Sequence, residues 1–146
     1  MKKFISILLL IMMVFTLGGC GKKILTCRMP GVNSLGDNEG LEVTQEVKVT
    51  FANEKIRKIN YLVVAYIDDT LYSEEEANYI ASELRKSFVT INPTANKTSM
   101  IKNDTYKYTY NIVIDYDKIS DEEKEGFVEG YDENVRQFEE NGYICD

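Results

Sequence analysis

Three cysteines, Cys20, Cys27 and Cys145, are the residues of widest chemical scope in this 146-residue chain. A thiol can be acylated, oxidised to a disulfide, or used as a nucleophile or metal ligand. The other usual chemistry is thin. Histidine is absent, which excludes histidine general bases, Ser-His-Asp triads and histidine metal ligands. There is no glycine-rich phosphate loop and no Gly-x-Ser-x-Gly turn. Carboxylate pairs such as Asp68/Asp69 and Asp115/Asp117 could in principle do glycosidase-type work, but they fall where strands should end. No catalytic residue and no cofactor are therefore expected. Asp115, Asp117, Asp121 and Glu123 sit at positions one, three, seven and nine of a calcium-loop spacing. Ile119, Ser120 and Gly126 then replace a ligand, the turn glycine and the bidentate glutamate, so no metal site is expected either.

Cys20 is distinguished by what precedes it. Lys2 and Lys3 are followed by the uncharged run Phe4 to Leu17, and Leu17-Gly18-Gly19-Cys20 closes the segment. A run of 14 residues falls short of the roughly 20 needed to span a bilayer but suits a signal-peptide core. The segment resembles a bacterial lipoprotein signal peptide with its lipobox. That resemblance implies cleavage after residue 19, a diacylglyceryl group on Cys20, and a protein anchored on the extracytoplasmic face of the cell membrane. Two acyl chains are what stable anchoring requires.

The expected layout is a signal peptide over residues 1–19, a lipidated tether over 20–23 and one globular domain over 24–146. Cleavage removes Lys2 and Lys3 and no acid, leaving 15 basic side chains against 24 acidic ones, a net charge of −9. Such a balance argues against nucleic acid as a partner and against electrostatic docking on anionic lipid. Outside the cytoplasm an even pair of cysteines reads as a disulfide, so Cys27 and Cys145 are expected to be bridged, with two buried free thiols as the alternative. Closing so long a loop stabilises by about 4–5 kcal/mol in the chain-entropy account.

Ten tyrosines and no tryptophan invite a binding-surface reading. Tyr106, Tyr108 and Tyr110 alternate and could line a groove for a peptide or sugar. The same face continues into Ile112 and Ile114, and that favours a strand buried in the core.

These residues must be positioned by a small set of elements. Ile24 to Met29 reads as a first short strand, and Pro30 to Gly40 as a loop rich in turn residues. Leu41, Val43, Val47, Val49 and Phe51 share one face of a strand that should pair, across a turn at residues 52–55, with a strand over 56–68. Ser73 and Glu76 form a capping box for a helix whose stripe is Ala77, Ile80, Ala81, Leu84, Phe88 and Ile91. A second hairpin is expected over 98–115, turning at Asn103-Asp104. Ser120 with Glu123 opens a helix that Gly126 and Gly130 weaken, and a last helix over about 132–141 stops at Gly142. The expected fold class is α+β: a single antiparallel sheet of hairpins with two to three helices packed on one face.

Leu25-Thr26-Cys27, the two hairpins flanking a helix, and the ending Glu-Glu-Asn-Gly-Tyr-Ile-Cys over 139–145 resemble small surface lipoproteins of low-GC Gram-positive bacteria, similar in plan to the YehR-like lipoproteins. The resemblance implies a lipidated Cys20, a paired Cys27 and Cys145 and an α+β fold, with no activity attached. The functional expectation is a non-catalytic, membrane-anchored binding or interaction module with a protein or small-molecule partner. The alternative is a structural envelope lipoprotein without a small ligand.

Overall fold

The computed structural model describes residues 21–30, 33–34 and 39–146. The expected signal-peptide segment and Cys20 lie outside these residues. Among the described residues, seven strands build one antiparallel sheet: β1 (Lys22–Arg28), β2 (Asn33–Ser34), β3 (Leu41–Ala52), β4 (Lys55–Ile67), β5 (Lys97–Asp104), β6 (Lys107–Asp115) and β7 (Ile144–Cys145). Their order is β5-β6-β4-β3-β1-β7, with β2 beside β3. The helices are α1 (Glu74–Ile91), α2 (Asp121–Lys124) and α3 (Tyr131–Glu140), and a 3-10 turn spans Tyr116–Lys118. None of the described helices is long and apolar enough to cross a membrane.

The α+β class stands, but the picture of a sheet of hairpins under two to three packed helices is corrected. Only β3/β4 and β5/β6 are tight hairpins. The sheet is joined instead by β4/β6, β1/β3 and β1/β7, which pair strands that do not follow one another. The chain leaves β4 through α1, returns at the edge as β5, and folds β6 back into the space between. Strands β4 and β5 therefore run parallel with β6 inserted. The helical cover is also smaller than expected, because α2 is one turn long and buries nothing. Gly126, two residues past its end, is a poor helix former at the point where a second turn would have to propagate.

Strands β3 and β6 keep the period of two that the sequence predicts. Leu25 and Cys27 on β1, Val47 and Val49 on β3, Ile59 and Val63 on β4, and Tyr108, Tyr110, Ile112 and Ile114 on β6 are buried on one face. The opposite face carries Glu42, Lys48, Lys58 and Lys107. Two core clusters lie side by side on the inner face. One gathers Val43, Ala65, Tyr108 and Tyr110 under Ala77, Ala81 and Phe88 of α1. The other gathers Cys27, Val49, Phe51 and Ile114, with Val135 and Phe138 of α3 packed against it.

Local signals explain the ends of the elements. The Ser73 hydroxyl accepts from the Glu76 amide while the Glu76 carboxylate accepts from the Ser73 amide, completing the expected capping box. The β3/β4 turn holds Asn53 at φ 53° and Glu54 at φ 60°, the two left-handed positions of the primed hairpin turn whose twist matches the strands. Helix α3 stops where Gly142 adopts φ 87°. The Gly142 amide donates to the Glu139 carbonyl and the Tyr143 amide to the Phe138 carbonyl, with the Phe138 and Tyr143 rings edge to face 5.4 Å apart. Those two bonds and the ring contact make a Schellman ending. It turns the chain back into β7.

Two boundaries differ from expectation. The first strand begins at Lys22, inside the expected tether. The β5/β6 turn falls at Thr105-Tyr106, because the Asp104 carboxylate accepts from the Tyr106 amide at 2.9 Å and bends the chain two residues later.

Candidate functional site

The bridge between Cys27 and Cys145 is present. The two residues are directly opposed on β1 and β7. Thr26 and Asp146 exchange both backbone hydrogen bonds, so the neighbouring cysteines occupy the non-hydrogen-bonded position, where strands approach most closely. Their Cα atoms are 4.0 Å apart, nearer than the 5–6 Å typical of disulfides.

The tyrosine strand does not form a groove. Tyr108 and Tyr110 are fully buried beneath α1. The Tyr108 hydroxyl donates to the Asn78 side-chain oxygen at 2.8 Å, and the Tyr110 hydroxyl to the Ala81 carbonyl at 2.9 Å. Burial pushes the Tyr110 phenol well above the usual tyrosine range, so it stays a neutral donor. Tyr106 is half-buried in the turn and packs at the edge of the first cluster. The binding reading of Tyr106, Tyr108 and Tyr110 thus gives way to the core reading for the last two.

The four acids of the calcium-like spacing are dispersed among separate tasks. Asp115 pairs with Lys118, Asp117 with Arg57 and Asp121 with Lys124, while Glu123 accepts from the Ser120 amide in a second capping box. No group of three acids or cysteines able to hold a metal ion occurs among the described residues.

A cleft of about 510 Å³ lies between the inner face of β4 and the segment from Gly126 to Tyr143, α3 included. Its floor is Ile59 and Tyr61 of β4, and its walls include Phe127, Phe138, Tyr143 and Asn134. That volume lies within the range of small-ligand sites, roughly 300–1,000 Å³. Tyr61 and Tyr143 have their phenols pushed up by burial, so both present neutral hydroxyls. Asn134 is the one buried polar residue among those described, and its side-chain amide donates at 2.7 Å to the carbonyls of both Val128 and Gly130. This pair of hydrogen bonds ties the 126–130 loop to α3 and holds the cleft wall in place. Gln137 and Asn141 add amide groups at the rim. The chemistry on offer is stacking on aromatic rings beside neutral hydrogen-bonding groups, which suits a neutral polar ligand such as a sugar or peptide segment.

Sequence reasoning missed this cleft, since its walls come from β4, the 126–128 loop and the last twenty residues. Tyr61 was the available signal: it is an aromatic on the inner face of β4 with Gln45, rather than an aliphatic, two strand positions away from Val47 on the adjacent strand.

No family model matches this sequence, and no curated protein matches it. Among solved structures, the fold is similar to an NMR structure of a protein from Streptococcus pneumoniae TIGR4, with a TM-score of 0.49 and 12% sequence identity over 86% of each chain.

Proposed function

We propose that this chain is a cell-envelope lipoprotein: a non-catalytic binding module, anchored by lipid at Cys20 on the extracytoplasmic face of the membrane. Support for the anchor comes from the Leu-Gly-Gly-Cys segment behind a short apolar run. The disulfide fits an oxidising compartment. The single observation that carries the binding role is the cleft over Tyr61, lined by two aromatic hydroxyls and several side-chain amides.

Thermal melts with a panel of neutral oligosaccharides and short peptides test the binding role. A ligand that binds only the native state stabilises it by about 2.7 kcal/mol at a hundredfold excess over Kd. For a domain of this size that is a rise of roughly 5–15 °C in Tm. The rise should vanish in Tyr61→Ala. A second reading, a structural envelope lipoprotein without a small ligand, is favoured by the burial of Tyr108 and Tyr110. Melts unchanged across the panel would select it.

A further inference from the structure

We infer that the end of the sheet nearest Cys20 is a docking surface for anionic lipid headgroups, an inference that rests on the proposed anchor. The net charge of the mature chain points the other way, but its charge is unevenly distributed. Residues 74–91 and 121–140, which carry the helices, hold thirteen acids and four bases. At the far end of the sheet, Lys22, Arg57, Lys58, Lys97 and Lys118 surround one shallow depression of about 760 Å³. Only two acids, Asp115 and Asp117, join them there, paired with Lys118 and Arg57. Lys22, Lys58 and Lys97 make no ion pair among the described residues, so the depression keeps a surplus of three positive charges.

Two features of the chain build this patch. Thr50 pairs with Lys58 and Phe51 with Ile56, leaving Arg57 as the extra residue of a β-bulge. A bulge re-aims side chains, and here it places Arg57 beside Lys58 on the outer face. Lys58 in turn lies opposite Asp115, and Lys97 opposite Val113, so the cations share that face. The second feature is the tether. Strand β1 starts at Lys22, two residues after Cys20, so a chain lipidated at Cys20 has at most about 7 Å between its anchor and this end of the sheet. The surface potential of an anionic membrane acts over roughly 8–10 Å at physiological salt, so the patch lies within its range. Helices α1 and α3 pack on the opposite, inner face of the sheet.

The absence of tryptophan gives a clean optical test on the lipidated full chain reconstituted into vesicles. One variant carries Ala52→Trp, at the edge of the patch; the other carries Tyr79→Trp, an exposed site on α1. In phosphatidylcholine vesicles with 30% phosphatidylglycerol and a headgroup spin label, emission at position 52 should be quenched at least threefold more than at position 79. Without phosphatidylglycerol, or in 0.5 M salt, the ratio should fall toward one. Lys58→Gln, Lys97→Gln and Lys118→Gln together should abolish the excess, since each charge removed weakens headgroup attraction roughly fivefold. Equal quenching at the two sites on anionic vesicles overturns the inference. Intact mass separates this failure from that of the anchor. An unlipidated chain that still sediments with anionic and not neutral vesicles keeps the surface and removes the anchor, whereas a lipidated chain with equal quenching removes the surface alone.

Discussion

Phe88→Ala should destabilise the protein by about 3–5 kcal/mol, the range for deleting a buried aromatic ring and leaving a cavity. Phe88 projects from α1 into the cluster on β3, β4 and β6 and packs edge to face on Tyr110, with ring centres 5.0 Å apart. Tyr110 cannot move to fill the gap without giving up its hydrogen bond to the Ala81 carbonyl, so the site relaxes little. The neighbouring Val89 is 52% exposed on the other side of the helix, and Val89→Ala should change stability by under about 0.5 kcal/mol. Urea melts of the two variants make the comparison. Equal, small losses would mean that α1 does not hold the sheet through this residue.

Removing the bridge in Cys27→Ala/Cys145→Ala should lower stability by about 2–5 kcal/mol, the usual loss for a native disulfide in a small domain. The loss should also be local. Strand β7 is two residues long and is held to β1 by the bridge and by the paired backbone bonds of Thr26 and Asp146. Without the bridge, the Asp146 and Thr26 amides should exchange with solvent far faster, while Tyr108 to Ile114 on β6, three strands away from β1, should speed up by no more than the global loss of stability. Tyr143 leaves α3 just before β7 and lines the cleft, so the same variant should also weaken any ligand found there. A loss below about 1 kcal/mol with β7 amides still protected would show that the backbone ladder suffices.

Much of the local structure was legible because it rests on near neighbours. Ser73 with Glu76, the alternation from Leu41 to Phe51 and the Gly142 stop each depend on residues within a few positions, and each appears as expected. The β5/β6 turn lies two residues beyond the expected place because Asn103-Asp104 has the composition of a turn itself. The structure uses Asp104 as the residue before the turn, capping it from its side chain. Sheet order was not legible, since β4 meets β6 only after α1 and β5 have intervened. The alternation of Tyr106, Tyr108 and Tyr110 allows a groove as well as a core strand, and the continuity with Ile112 and Ile114 points to the core, where Tyr108 and Tyr110 lie. Tyr106 shares that period but not the burial, because the shifted turn takes it off the strand. The cleft and the basic patch both depend on residues brought together by that long-range order. A net charge, being a sum over the chain, cannot report that five cations surround one depression.

The measurement that bears most directly on the account is the intact mass of the protein recovered from the membranes of its native host. The recovered chain should lack residues 1–19 and carry a diacylglyceryl group on Cys20, with Cys20→Ala leaving the protein unlipidated. Recovery of an unmodified, full-length chain would contradict it.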